Sequence, residues 1–328
     1  MLRKGKSNCI TDISGISVGH VTLHHQIDKE TTVCTGVTAI LPHNRNVFRD
    51  KVHAGSAILN GYGKTTGLIQ VNELGLIESP IMLTNTFSVG YVWQGTMEYM
   101  LKTTEEIGDT ASSINIVVGE CNDSYLNSAR YPAISPVHAI EAIQTASTSP
   151  VEEGAIGAGK GMVCFGYKGG VGTASRIVED QNEQYHIGCL IVSNYGKRED
   201  AQFASWPTIE LDTPDGSIMM IIATDAPLYD RQLNRIAKRC AAGLGRTGSH
   251  LDNGSGDIAI AFSTAHTYHQ NKQSMKASLT YLRDEHPIMN QLFQAVTEII
   301  EEAVVRSLKT AVTTVGRKGR IIERAPLV

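Results

Sequence analysis

The segment that most restricts the fold is a helix, turn and strand between residues 224 and 264. Leu233, Ile236, Ala237, Cys240, Ala241 and Leu244 recur at three- and four-residue spacing, which lays one apolar stripe along a helix. Thr224-Asp225-Ala226-Pro227 offers a capping side chain and a first-turn proline, so the helix is predicted to start there, and Gly243 and Gly245 to end it. Downstream, Asp257 to Thr264 is a short apolar run that reads as a buried strand. A one-striped helix feeding a strand without a polar face calls for a layered α/β body.

Between helix and strand lie Gly243 to His250 and then Asn253 to Asp257, small residues and hydroxyls with no bulk to fill a core. Ser249 follows Gly248 on a turn flanked by two packed elements, where backbone geometry can be held under strain. Its hydroxyl can attack the carbonyl of Gly248 and give an ester that water cleaves. Ser249 would then start a new chain, and its α-amino group, with an ordinary pKa near ~8, would serve as general base for its own hydroxyl. The competing reading is an ordinary helix-stop turn, since Gly-Ser is common loop punctuation.

Composition narrows the partners. The 328 residues are 41% hydrophobic with a net charge of −4, enough apolar material for a large core and no basic footprint for nucleic acid or an anionic membrane. There is no run of 18 apolar residues, and the basic N-terminus has no apolar stretch behind it, so a cytoplasmic protein without a membrane partner is expected. The six cysteines are dispersed and lack a CxxC pair, which reads as buried reduced thiols.

Strands are predicted at 16–21, 37–41, 81–84, 114–119, 162–167, 170–175, 187–192 and 217–223, and helices at 89–101 and 137–145. A last helix carries Leu292, Val296, Ile299, Ile300, Ala303, Val304 and Leu308 on one face and Glu298, Glu301 and Glu302 elsewhere. Asn85, Glu120 and Asn194 each close an apolar strand. Glu120 is by default solvated at a sheet edge, or else positioned to meet a cation. Asn194 is either turn chemistry or an amide donor aimed at a developing oxyanion. His20, His24 and His25 lack an acidic partner to complete a metal set. Gly154 to Lys160 copies the spacing of a phosphate loop, but Gly161 stands where a magnesium-binding hydroxyl is required.

Taken in order, several phrases resemble the self-processing L-aminopeptidase/D-esterase family, which includes the β-peptidyl aminopeptidases. They are Gly-Ile-Ser-Val-Gly-His-Val-Thr (15–22), Thr-Gly-Val-Thr-Ala (35–39), Leu-Asn-Gly-Tyr-Gly (59–63), Leu-Thr-Asn-Thr (83–86) and Val-Val-Gly-Glu-Cys-Asn-Asp (117–123). Lys-Gly-Gly-Val-Gly-Thr-Ala-Ser-Arg (168–176), Ser-Asn-Tyr-Gly (193–196), Ala-Thr-Asp-Ala-Pro-Leu (223–228) and the 246–264 segment continue the series.

The resemblance implies a four-layer α-β-β-α sandwich, one compact domain over 1–328 that cuts itself into an α chain 1–248 and a β chain 249–328. It makes Ser249 the N-terminal nucleophile, Asn194 the oxyanion donor and Glu120 the carboxylate holding the substrate's amine, with Tyr131 a further substrate contact. Ser263, Asp284, Glu285 and Asn290 are the candidates for orienting the nucleophile. No metal or organic cofactor is implied. The expected partners are a small peptide, amino-acid amide or ester substrate and further copies of the cleaved chain in a homo-oligomer. The rival readings are an acyltransferase of the ornithine acetyltransferase type and a non-catalytic shell of the same fold.

Overall fold

The computed structural model describes residues 1–181, 183–208, 216–269 and 275–327. In chain order it runs through β1 (Ser17–Gln26), β2 (Thr32–Leu41), β3 (Asp50–Gly61), α1 (Leu68–Leu74), β4 (Leu76–Ile77), β5 (Ile81–Asn85), α2 (Val89–Thr103), β6 (Val117–Cys121) and α3 (Pro136–Gln144). It continues with the short pair β7 (Val163–Cys164) and β8 (Tyr167–Lys168), then β9 (Gly170–Glu179), β10 (Gln184–Asn194), β11 (Ser217–Thr224), α4 (Asp230–Thr247), β12 (Gly256–His269) and α5 (Ile288–Thr310).

Two sheets carry the body, one ordered β1-β2-β5-β6 and one ordered β4-β3-β12-β11-β10-β9. Their facing sides share one buried cluster, with Ile40, Ile81 and Val117 from the smaller sheet meeting Leu190, Ile221 and Ile260 from the larger. The outer side of the larger sheet packs Cys189, Ile222 and Ala261 against Leu233 and Ile236 of α4 and Ile299 and Ile300 of α5. The outer side of the smaller sheet packs Val37, Met82 and Val118 against Val92 of α2 and Ala139 and Ile143 of α3. The layers are therefore helix, sheet, sheet and helix. Strands covered on both faces cannot alternate polar and apolar residues, which is why β11 is buried at all eight positions.

The helix-turn-strand segment holds two corrections. α4 starts at Asp230, five residues after the expected cap, because Asp225 and Thr224 bond the His186 backbone instead. It also runs past both expected stops to Thr247. Gly243 is inside the helix because a Cβ there would lie 2.7 Å from the Ile300 side chain and 2.9 Å from the Thr297 carbonyl of α5. Gly248, at φ 103°, is the true stop.

Glu298 also differs from the reading of the tail helix. It is buried on α5 and accepts from Nε of Arg176, 1% exposed, at 2.8 Å, while Glu302 takes the other end of that guanidinium at 2.7 Å. An apolar-moment reading sees only the stripe. It has no means of finding a charge whose partner stands on a distant strand.

Candidate active site

Strand register gathers polar groups at one end of the larger sheet. Asn194 at the end of β10 pairs with Ser217 at the start of β11, Ser217 with Gly256 at the start of β12, and Gly256 with Gly61 at the end of β3. Gly63 joins this row to the smaller sheet, since a Cβ there would stand 3.8 Å from Cα of Gly256 and 3.4 Å from Oε1 of Glu120 on β6. The site lies where the two sheets open at that end.

Glu120 is 5% exposed, so the solvated reading of that carboxylate is set aside. Its Oε1 accepts the Lys64 backbone N–H at 2.8 Å, and its Oε2 accepts the Thr86 hydroxyl. The two residues flanking Thr86, Asn85 and Phe87, line a cleft of about 310 Å³ together with Thr35, Tyr91 and Tyr131. Tyr131 is 43% exposed on that cleft, and Asn85 is tied in place by donating to the Thr35 hydroxyl at 2.7 Å. A buried carboxylate fixed by two donors at the edge of a cleft can receive an ammonium group without moving.

Asn194 is buried, and its amide is oriented from both ends. Oδ1 accepts the Val163 N–H at 2.8 Å, and Nδ2 donates to the Asn122 carbonyl at 2.9 Å. An amide nitrogen carries two hydrogens, and the second has no partner among the described residues. Asn122 is two residues beyond Glu120, so the amide-bearing and acidic strand ends are tied together.

Two serines stand near this row. Gly248 and Ser249 form a helix stop in which Gly248 N–H donates to the Gly245 carbonyl at 3.2 Å and Ser249 N–H to the Leu244 carbonyl at 3.2 Å. A Cβ at Gly248 would lie 1.8 Å from the Asp200 carbonyl, so its glycine is already required by the cap. The Ser249 hydroxyl accepts the Leu251 N–H at 3.3 Å. Leu251 itself has φ 55°, a left-handed conformation that costs a branched residue about 1–2 kcal/mol.

Ser255 is 3% exposed and immediately precedes β12. Its Oγ donates to Oδ1 of Asp257 at 2.7 Å, as side chains two residues apart on extended chain point to the same face. Asn60 Nδ2 holds the approach loop by donating to the carbonyls of Asp252, Asn253 and Ser255 at 2.8, 3.3 and 2.5 Å. Ser249 and Ser255 share a small cavity with Tyr195, Gly216, Gly248 and Asp252.

The other sequence candidates lie elsewhere. Ser263 is eight residues along β12 from Ser255, about 26 Å at the rise of a strand, and donates to the Ala226 carbonyl at 2.6 Å. Asp284 clasps α4 through Arg235 at 2.8 Å and through Arg231. Glu285 is exposed beside Arg283, and Asn290 is exposed in the first turn of α5. These four belong to packing and surface, and the structure does not bring them to the strand ends.

Among the described residues there is no group of three or more His, Cys, Asp or Glu that could hold a metal ion. The His20 ring, pushed down to about 4 by burial, bonds Thr38, and the Gly157–Gly159 turn next to Lys160 packs against β2 rather than opening a helix.

Sequence reasoning passes over Ser255, Asp257 and Asn60. One signal was available, a serine and a carboxylate two residues apart at the entrance to a buried strand. The rest depends on register between strands far apart in the chain.

Residues 8–322 match the model of peptidase family S58. The chain is 37% identical over 350 residues to the beta-peptidyl aminopeptidase BapA of Sphingosinicella microcystinivorans, across 99% of this chain and 87% of that one. It superposes on the PH0078 protein from Pyrococcus horikoshii OT3 with a TM-score of 0.92 and 46% identity, covering 99% of this chain and 93% of that one. It also superposes on the L-aminopeptidase D-Ala-esterase/amidase of Ochrobactrum anthropi, whose structure is described as a variant of the Ntn hydrolase fold, with a TM-score of 0.92 and 31% identity over 99% and 93% of the two chains.

Proposed function

Because this chain belongs to peptidase family S58, we propose that it is a self-cleaving aminopeptidase whose working nucleophile is a serine released as a chain start beside Asn194 and Glu120. Ser255 is the serine we assign. The single observation that carries this is its place beside the row: it immediately precedes Gly256, which is in register through Ser217 with Asn194 and is joined through Gly63 to Glu120. The glycine before Ser249 is accounted for by the helix stop, whereas Ser255 sits directly against a buried carboxylate.

The substrate's amine pairs with Glu120 in the cleft lined by Tyr131, which presents the first acyl carbon to Ser255. The serine's own amine takes the hydroxyl proton as Oγ attacks. The second Nδ2 hydrogen of Asn194 receives the oxyanion, a contribution of about 3 kcal/mol. The leaving amine takes the proton, an acyl-enzyme remains, and water releases the acid. The relatives' names support amino-acyl peptides, amides or esters as substrates. We further propose a cytoplasmic protein, supported by six unpaired buried cysteines, and assembly of the single cut domain into homo-oligomers, supported by the exposed Ile69, Leu74 and Phe87. Among the described residues no helix is long and apolar enough to cross a membrane.

N-terminal sequencing of the smaller fragment is the test. Cleavage before Ser255 gives a chain beginning Ser-Gly-Asp-Ile-Ala-Ile, and cleavage before Ser249 gives Ser-His-Leu-Asp-Asn-Gly. Ser255→Ala should remain one chain without hydrolysis of amino-acyl nitroanilides, and Ser249→Ala should still cut. The reverse pattern returns the assignment to Ser249, and activity in an uncut double variant ends the self-cleavage reading.

A further inference from the structure

Self-cleavage raises a problem that turnover does not. In the continuous chain the nitrogen of Ser255 is an amide that donates to the Asp252 carbonyl at 2.8 Å, and its lone pair is delocalised into the peptide bond and cannot accept a proton. The base that serves the mature nucleophile is absent at the step that creates it. Another group must take the hydroxyl proton, and it must lie within hydrogen-bond reach of that oxygen.

We propose that Asp257 is the general base of the self-cleavage step, which rests on the assignment of Ser255 above. Its Oδ1 is the acceptor of the Ser255 hydroxyl at 2.7 Å, and its Oδ2 is buried with no partner among the described residues. A carboxylate used only to pin a serine would be expected to have its other oxygen satisfied by the protein, as both oxygens of Glu120 are. Burial also raises the Asp257 carboxyl, to about 6, which strengthens it as a base while leaving it ionised at neutral pH. The titratable groups around it are Asp252 on the preceding loop, Cys121 on β6 and Tyr195 after β10, and both thiol and phenol are pushed upward by their own burial. None supplies a nearer acceptor for the hydroxyl.

The step balances as follows. Asp257 takes the Oγ proton while Oγ bonds to the carbonyl carbon of Gly254. The tetrahedral oxyanion collapses, the bond from that carbon to the Ser255 nitrogen breaks, and the proton passes from Asp257 to the departing nitrogen. The product is a Gly254 ester on Oγ with a free α-amine. Water then divides the ester into a Gly254 carboxylate and the Ser255 hydroxyl. Asn60 keeps the loop seated meanwhile through the carbonyls on either side of Gly254. After the cut, the new amine takes over as base.

The test follows the full-length chain, freshly made by cell-free translation and chased at pH 5 to 8, with the cut fraction read on a denaturing gel. Wild type should cut faster as pH rises, about tenfold per unit below 6, and level off above it. Asp257→Asn should slow cutting by at least about 100-fold at pH 7.5, and Asp257→Glu should recover to within about tenfold of wild type. Thermal unfolding of uncut Asp257→Asn is compared with uncut Ser255→Ala to verify folding. If Asp257→Asn folds and cuts before Ser255 at the wild-type rate, the base assignment fails and the nucleophile assignment stands. If Ser255→Ala still cuts, the nucleophile assignment fails and takes this one with it. Should Asp257→Asn not fold, the wild-type profile decides, and a rate that is flat from pH 5 to 8 overturns the proposal.

Discussion

Replacing Glu120 by Gln isolates one charge at a site whose geometry the substitution preserves. The side chain is buried, and its two oxygens accept from the Lys64 N–H and the Thr86 hydroxyl. A glutamine keeps the first bond through its carbonyl oxygen, and its NH2 faces a hydroxyl that can turn to accept. What disappears is the negative charge proposed to face the substrate's ammonium. Removing one side of a buried, hydrogen-bonded charge pair costs about 2–5 kcal/mol, and retention of shape places this change at the lower end, about 2–3 kcal/mol. At 1.36 kcal/mol per factor of ten, kcat/KM for a free-amine amino-acyl nitroanilide should fall about 30- to 150-fold. The same acyl group with its amine acetylated has no charge to lose and should change less than about threefold, although it starts from a far lower rate. The two substrates are assayed side by side, with the cut fraction of each preparation measured so that maturation does not enter the ratio. Equal losses on both would refute the amine-binding role.

Three further outcomes follow from packing and charge. Arg176→Met should leave Glu298 buried without its cation and Glu302 with Lys4 alone, costing about 3–5 kcal/mol, or about 4–7 °C in Tm for a chain of this size. Burial opposes ionisation of both glutamates, but hydrogen bonds led by Arg176 for Glu298 and by Lys4 and Arg176 for Glu302 leave them below the usual carboxylate range. A lowered folded pKa gives stability that is present above about pH 4.3 and lost as pH falls through the lowered values, so the Tm gap to the variant should narrow below pH 4 in calorimetry. The three glycines of the helix end should separate by differential scanning fluorimetry. Gly245→Ala, with nothing within 4 Å, should stabilise by about 0.4–1 kcal/mol, while Gly243→Ala against Ile300 and Gly248→Ala against Asp200 should each destabilise by more than about 1 kcal/mol. Burial raises the thiols of Cys34, Cys121, Cys164, Cys189 and Cys240, so a disulfide reagent at pH 8 should label them only after denaturation.

What the sequence discloses about this fold tracks how local the cause is. The stripe from Leu233 to Leu244 and the unbroken apolar run of β11 are decided within a few residues, so the elements are legible even where their ends are not. Ends depend on distant atoms. Gly243 reads as a helix terminator until Ile300 explains it, and nothing around Arg176 in the sequence points to Glu298, which closes on it from α5. Glu120 and Asn194 were found for a reason that is also local, a polar residue closing an apolar strand. What they do together is set by Asn122, Gly63 and the strand register, which no window of sequence contains.

The choice between Ser249 and Ser255 shows the limit most sharply, because both follow glycine in the same loop. A dipeptide does not say why its glycine is there. At Gly248 the reason is a left-handed helix stop against the Asp200 carbonyl, and that reason is complete without any chemistry. At Ser255 no such cap exists. Instead a hydroxyl sits in a low-exposure pocket, bonded to a carboxylate with one oxygen unanswered, at the start of an interior strand whose first residue is in register with the polar ends of β11 and β10. An unsatisfied buried oxygen is costly to keep, on the order of 1–3 kcal/mol. A cap repays its glycine in stability, but that oxygen repays nothing unless the adjoining hydroxyl has a proton to give up. That asymmetry is the physical ground for proposing Ser255, rather than Ser249, as the start of the new chain.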